Sequence, residues 1–187
     1  MLAIQTNLPQ NNKVRWTTEA MDLDVAGFVA LTKEAVDAAG LPDLVVWPET
    51  MVPGFGFDPT ARAQLAEAGP GFAYLSRWPR QVEQLAATLD RPMLVGSSTN
   101  IDLSVATDSR GTWLDAGQRF NSAVLVDVDI PVQRYDKVVL TPFGERMPYL
   151  EHWPWLEEQL MAVGAGGMEF NLDASDAVVT LDVQTAA

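Results

Sequence analysis

The chain has 187 residues, 48% hydrophobic and 20% charged, with 25 acidic side chains against 12 lysines and arginines and a net charge of −13. That composition suits one folded domain with a sizeable core. The acidic balance argues against nucleic-acid binding, which needs clustered cations, and an anionic lipid surface would repel the chain except through apolar contact.

Cysteine is absent, so these residues hold no disulfide, thiolate metal site or cysteine nucleophile. The single histidine, His152, sits in a Trp/Pro-rich segment without a second imidazole, and neither a metal nor a cofactor is expected. No window approaches the roughly 18 apolar residues of a membrane-spanning helix. The amino terminus, MLAIQTNLPQNN, lacks the basic and apolar regions of a signal peptide.

In chain order, Leu2 to Leu8 reads as a short strand ending at Pro9. From Thr17, the residues Val25, Phe28, Val29, Thr32 and Val36 fall on one helical face, and Gly40 ends the run. DLVVWPET is a buried strand whose end, Trp47-Pro48-Glu49-Thr50, forms an exit turn. Such strand ends are the usual place for chemistry in α/β proteins. Met51 to Gly71 is a partly irregular excursion with a short helix around Thr60 to Ala68.

A second amphipathic helix starts at Pro79 and carries Val82, Leu85, Ala86 and Leu89 on one face. Pro92 to Ser97 is a third strand, and the polar stretch Asp102 to Gln118 is a loop or hairpin tip. Asn121 to Asp129 and Val132 to Leu140 form a hairpin turning at Ile130-Pro131, where a more glycine-like turn would be expected. EHWPWLEEQLMAVGAGG reads as a short helix stopped by glycines, followed by strand pieces at Phe170 to Leu172 and Ala177 to Val183. The order indicates an α/β fold with a mixed sheet, and no internal repeat divides it.

Three residues stand out chemically. Glu49 is either a solvated or helix-capping carboxylate, or a general base held against Trp47 and Pro48 in apolar surroundings. Lys137 is either an edge lysine facing water or, among Tyr135, Val138, Val139 and Leu140, a fixed cation for a developing oxyanion. Glu145, across a Pro-Phe-Gly bend, either closes a turn or orients the Lys137 ammonium. Together they supply a base and an oxyanion stabiliser but no strong nucleophile.

The motifs IQTNLPQ, VVWPET, LVGSS, RFNSAVLVD and YDKVVLTPFGERMP occur in this order along essentially the whole chain. In this they resemble the carbon–nitrogen hydrolase (nitrilase) superfamily, and within it the nitrilase-like domain of bacterial apolipoprotein N-acyltransferases. The resemblance implies an α-β-β-α sandwich with mixed sheets, as one domain over residues 1–187, and a glutamate, lysine and cysteine triad. By matching motif, Glu49 would be the base, Lys137 would stabilise the tetrahedral intermediate, and Glu145 would support the lysine.

The resemblance also implies a phospholipid acyl donor, a lipoprotein acceptor, and membrane-spanning segments that place the domain at the periplasmic face of the bacterial inner membrane. The family's cysteine follows a strand like Ala177 to Val183. The expectation is therefore a fragment, incomplete at its C-terminus, soluble and inactive alone, with an exposed apolar sheet edge. A soluble amidase of the superfamily and a degenerate binding domain are the alternatives. Two apolar stretches, Met51 to Phe57 and Leu150 to Leu156 with Trp153 and Trp155, would either admit acyl chains or serve as core.

Overall fold

The computed structural model describes residues 1–7, 17–53, 55–109, 111–141, 145 and 172–184. The expected helix within 151–167, Phe170, His152, Trp153, Trp155 and the 142–144 bend lie outside them. Strands β1 (Leu2–Ala3), β2 (Val45–Val46) and β3 (Met93–Asp108) run parallel, and β4 (Gly111–Val126) and β5 (Gln133–Asp136) continue antiparallel in the order β1-β2-β3-β4-β5. The fold is mixed α/β, as the alternation of patterns predicts. Among the described residues it supplies one sheet and one helical layer, an α-β half of the expected sandwich.

Helix α1 (Thr18–Ala39) crosses from β1 to β2. The Thr17 hydroxyl accepts the Ala20 N–H at 3.3 Å, and Gly40, at φ 86°, returns its N–H to the Val36 carbonyl. Such a cap contributes about 1 kcal/mol. The predicted inward face is the observed one: Val25, Phe28, Thr32 and Val36 are buried.

Helix α2 (Pro59–Glu67), the single turn α3 (Pro70–Ala73), a 3-10 turn at Tyr74–Ser76 and helix α4 (Arg77–Leu89) link β2 to β3. On α4, Trp78, Val82, Leu85, Ala86 and Leu89 meet the α1 residues and Val45, Met93, Val95 and Val124 of the sheet in one core. Arg77 forms a two-pronged ion pair with Asp22 of α1, and the Trp78 indole N–H donates to the same carboxylate at 2.8 Å. No helix among the described residues is long and apolar enough to cross a membrane.

Of its two readings, Asp102 to Gln118 takes the hairpin: it is largely strand, because β3 and β4 pair from Met93↔Val126 out to Asp108↔Gly111. Its polar side chains take the outward positions, while Leu103 is buried under Ala61 and Leu65 of α2 and donates its N–H to Gln64 Oε1. The first strand stops at Ala3, since β2 leaves the ladder at Trp47-Pro48 and proline has no N–H to offer.

Val132 to Leu140 contributes only Gln133–Asp136, although it does form the expected hairpin. Asp127 supplies the turn chemistry by accepting the Val128 and Asp129 N–H groups. Ala177 to Val183 and Leu172 form no strand. The 177–183 run is tethered beside β5 by the Gln133 side chain, which exchanges two hydrogen bonds with the Asp182 backbone, and Val178 and Val179 are 80% and 46% exposed. With both faces of the run open, nothing rewards a ladder. Val139, just past the edge strand β5, is likewise exposed.

Met51 to Phe57 is core rather than an acyl-facing loop: Met51, Val52 and Phe57 are buried. The cause is a close backbone approach. The Gly96 carbonyl accepts the N–H groups of both Met51 and Val52, at 2.9 and 3.0 Å, and Ser97 Oγ donates to the Val52 carbonyl. A Cβ at position 96 would lie 2.4 Å from the Pro48 oxygen and 2.5 Å from Glu49 Cα. Gly96→Ala is predicted to cost about 1–3 kcal/mol through overpacking. Gly27→Ala, in open space on α1, should instead gain about 0.5–1 kcal/mol. Urea denaturation should show shifts of opposite sign, and a harmless Gly96→Ala would refute the close approach.

Candidate active site

Glu49 stands where the chain leaves β2. The residue two before it is locked inward: the Trp47 indole N–H donates to Thr32 Oγ1 at 3.0 Å, and its ring meets Phe28 at 5.0 Å between centroids. Thr50, at φ 56°, then turns the backbone through the left-handed region. A β-branched residue rarely sits there, and the close packing on Gly96 holds it. The apolar surroundings expected for Glu49 are absent, because Trp47 faces the core and the Glu49 side chain is 65% exposed. Polar contacts take their place.

Lys137 follows β5 directly, and its backbone N–H donates to the Asn121 carbonyl of β4 at 2.9 Å. Its ammonium reaches Glu49 Oε1 at 3.3 Å and the two oxygens of Glu145 at 3.0 and 2.9 Å. Glu145 also accepts the Thr141 N–H at 2.8 Å while its own N–H donates to the Thr141 carbonyl. Glu145 thus closes a turn with Thr141 and grips the lysine at the same time. The structure brings Glu49, Lys137 and Glu145 together around one ammonium.

Asn121 was not singled out from sequence, although it lies in the quoted RFNSAVLVD stretch. It is buried on β4, and its Nδ2 donates to Glu49 Oε1 at 2.5 Å and to Glu145 Oε1 at 2.6 Å. A polar residue within an apolar strand was the available signal. Residues 172–175 brace the rear of the site: the Leu172 N–H donates to the Glu145 carbonyl, the Ser175 N–H to the Lys137 carbonyl, and Asp173 and Arg119 exchange two bonds.

Burial alone would raise the Glu145 carboxyl, but the Thr141 N–H, the Lys137 ammonium and the Asn121 amide together pull it down to about 2 from the ordinary 4.5. Burial likewise works against the Lys137 charge, yet the two glutamates outweigh it and hold the ammonium above its ordinary value. The site is thus a fixed cation held between two carboxylates. It can accept a proton at Glu49 and meet a negative transition state at Lys137.

A depressed folded-state carboxyl contributes stability that is present above the unfolded value of 4.5 and lost as pH falls toward about 2. The raised lysine contributes below its ordinary 10.5 and fails as pH rises through its folded value. Urea denaturation between pH 5 and pH 2 should show the wild type losing stability more steeply than Glu145→Gln. Parallel curves would show that Glu145 gains nothing from these partners.

No family model matches the chain. It is 31% identical over 163 residues to the apolipoprotein N-acyltransferase of Geobacter metallireducens, covering 86% of this chain and 26% of the relative. The Chlorobaculum tepidum apolipoprotein N-acyltransferase is 28% identical over 148 residues, covering 76% and 25%. Apolipoprotein N-acyltransferase 1 of Treponema pallidum is 28% identical over 179 residues, covering 87% and 29%.

The chain therefore spans about a quarter of the length of the curated relatives it matches. Among solved structures, a carbon–nitrogen hydrolase from Helicobacter pylori G27 matches with a TM-score of 0.43 at 16% identity, covering 66% of this chain and 37% of that one. An N-terminal amidase with an Asn-Glu-Ala peptide gives 0.40 at 17% identity, covering 74% and 28%. Over most of its own length, this chain is a distant homologue of the apolipoprotein N-acyltransferases.

Proposed function

We propose that this chain is the base-and-cation part of a single nitrilase-like catalytic domain of an apolipoprotein N-acyltransferase, which moves a fatty acyl group from a phospholipid through a cysteine thioester to the amino terminus of a lipoprotein. The observation that carries the reading is the convergence of Glu49 and Glu145 on the Lys137 ammonium within 3.3 Å. Glu49 and Glu145 lie 88 and 8 positions from Lys137 along the chain, and the three supply the base and the oxyanion stabiliser that acyl transfer uses. The likeness to the apolipoprotein N-acyltransferases supports the proposed substrate class, and the 187 residues themselves contain no cysteine.

In this reading Glu49 takes the proton of a thiol contributed by residues outside the 187. The thiolate attacks the ester carbonyl carbon, and the oxyanion of the tetrahedral intermediate faces the Lys137 ammonium. Collapse breaks the ester C–O bond, and Glu49 returns the proton to the departing lysophospholipid alkoxide. In the second half the acceptor amine attacks the thioester carbonyl, Glu49 removes the amine proton, and the C–S bond breaks to regenerate the thiolate and then the thiol. Glu145 holds the ammonium in place throughout. The setting is the periplasmic face of the inner membrane, reached through membrane segments outside these residues.

The test uses the longer gene product, with its own cysteine, in phospholipid vesicles with a diacylated lipopeptide acceptor. Mass spectrometry should find one acyl chain on a cysteine peptide before acceptor is added. Glu49→Gln should slow acylation by roughly 10²–10⁴-fold, and Lys137→Ala by roughly 10²–10³-fold. The 187 residues alone should be inactive. A reading frame with no cysteine after Ala187 would sink the proposal, as would full activity in both variants.

A further inference from the structure

We infer that Asn121 is the positioning residue of this site: its one side-chain amide orients both glutamates about the lysine, and its backbone carbonyl fixes the segment that carries Lys137. The catalytic consequence rests on the acyl-transfer reading above, while the geometry stands without it. A primary amide has two N–H hydrogens, and here each has a carboxylate oxygen to meet, at 2.5 Å on Glu49 and 2.6 Å on Glu145. The main-chain oxygen of the same residue receives the Lys137 N–H at 2.9 Å. One residue of β4 thereby touches all three partners, which arrive from the exit of β2, the segment after β5 and the turn on Thr141.

The orientation of the amide is dictated by chemistry. Turning it over would bring the acceptor oxygen against two carboxylates, whereas as placed that oxygen receives the Thr50 hydroxyl at 3.5 Å. Thr50 is the strained residue next to Glu49, so the amide holds the turn as well as its carboxylate. The need is real because Glu49 is largely exposed. The Asn121 contact to Glu49 Oε1, at 2.5 Å, is shorter than the Lys137 contact to the same oxygen at 3.3 Å, so the amide is the tighter hold on a carboxylate that stands on a turn.

Neutrality matters equally. Two carboxylates sharing one ammonium repel each other, and a donor of two hydrogens relieves that repulsion without adding a second cation that would compete with Lys137 for either glutamate. An aspartate of the same shape would remove both donors and add a third negative charge. A leucine would leave two carboxylate oxygens facing an apolar group.

The test needs neither lipid nor thiol. In the unmodified chain, NMR titration should show the Asn121 side-chain N–H₂ resonances moving with the same midpoint as the Glu145 carboxyl. No movement through that titration would overturn the proposal. In Asn121→Ala and Asn121→Asp the Glu145 midpoint should rise from about 2 toward 4.5, and an unchanged midpoint in a variant with a native amide spectrum would also overturn it.

In the longer, cysteine-bearing chain, Asn121→Ala should lower kcat by about 100-fold with KM little changed, the cost of a misplaced catalytic group. A kcat within about twofold of wild type would overturn the positioning role. Failure of acyl transfer altogether, with the titrations as expected, would remove the acyltransferase reading and leave Asn121 as the residue that arranges the three charges.

Discussion

The absence of a side chain at Gly96 is the constraint on which the rest depends. The exit of β2 lies so close against β3 that Pro48, Glu49 and Thr50 occupy the space a methyl group would need. Because the Gly96 carbonyl then accepts two successive N–H groups, the chain rejoins β3, in parallel, at Val52–Ser97 instead of leaving the sheet. Glu49 is delivered to the strand end, and Met51, Val52 and Phe57 are drawn into the core. Trp47 secures the other side of the turn by its bond to Thr32 on α1. A surface carboxylate is thereby held by two buried anchors, one a missing Cβ and one an indole.

The other half of the site is set by sheet register. Strands β4 and β5 pair Ser122 with Asp136, and continuing that register by one step sets Lys137 opposite Asn121, where their backbones bond. Side chains alternate along a strand, so a slip of one residue would send the ammonium to the other face. The register has its own side-chain lock, since Ser122 Oγ donates to Asp136 at 2.6 Å and Arg134 pairs with both Asp136 and Asp58 at the start of α2. The excursion after β2 is thus tied to the strand that leads to Lys137.

What could be read from sequence follows from what each signal encodes. The faces of α1 and α4 were legible because burial imposes a helical period on Val25, Phe28, Val36, Val82, Leu85 and Leu89. Glu49, Lys137 and Glu145 were legible as charges placed beside apolar strands and turns. Asn121 was not, because a neutral amide in a strand carries no electrostatic flag until its partners from 72 and 24 residues away are known. The outer half of the β3–β4 hairpin was hidden by its polar composition, being held by ladder bonds and by α2 lying over Leu103. Ala177 to Val183 misled in the opposite sense: its valines have strand propensity, but propensity acts through packing, and both faces of that run are open.

The charge arrangement limits which chemistry this site can perform. A lysine serves as a covalent nucleophile only when desolvation or a neighbouring cation lowers its pKa enough to free the amine lone pair. Lys137 has the opposite environment: two carboxylates raise it, and Glu145, itself pulled down to about 2, remains its counter-ion across the physiological range. An ammonium held in this way can stabilise negative charge but cannot carry an acyl group. A carboxylate that carried an acyl group would become a mixed anhydride and give up both its charge and its bond to the ammonium. A covalent route through this site is therefore better served by a nucleophile distinct from the residues gathered around Lys137.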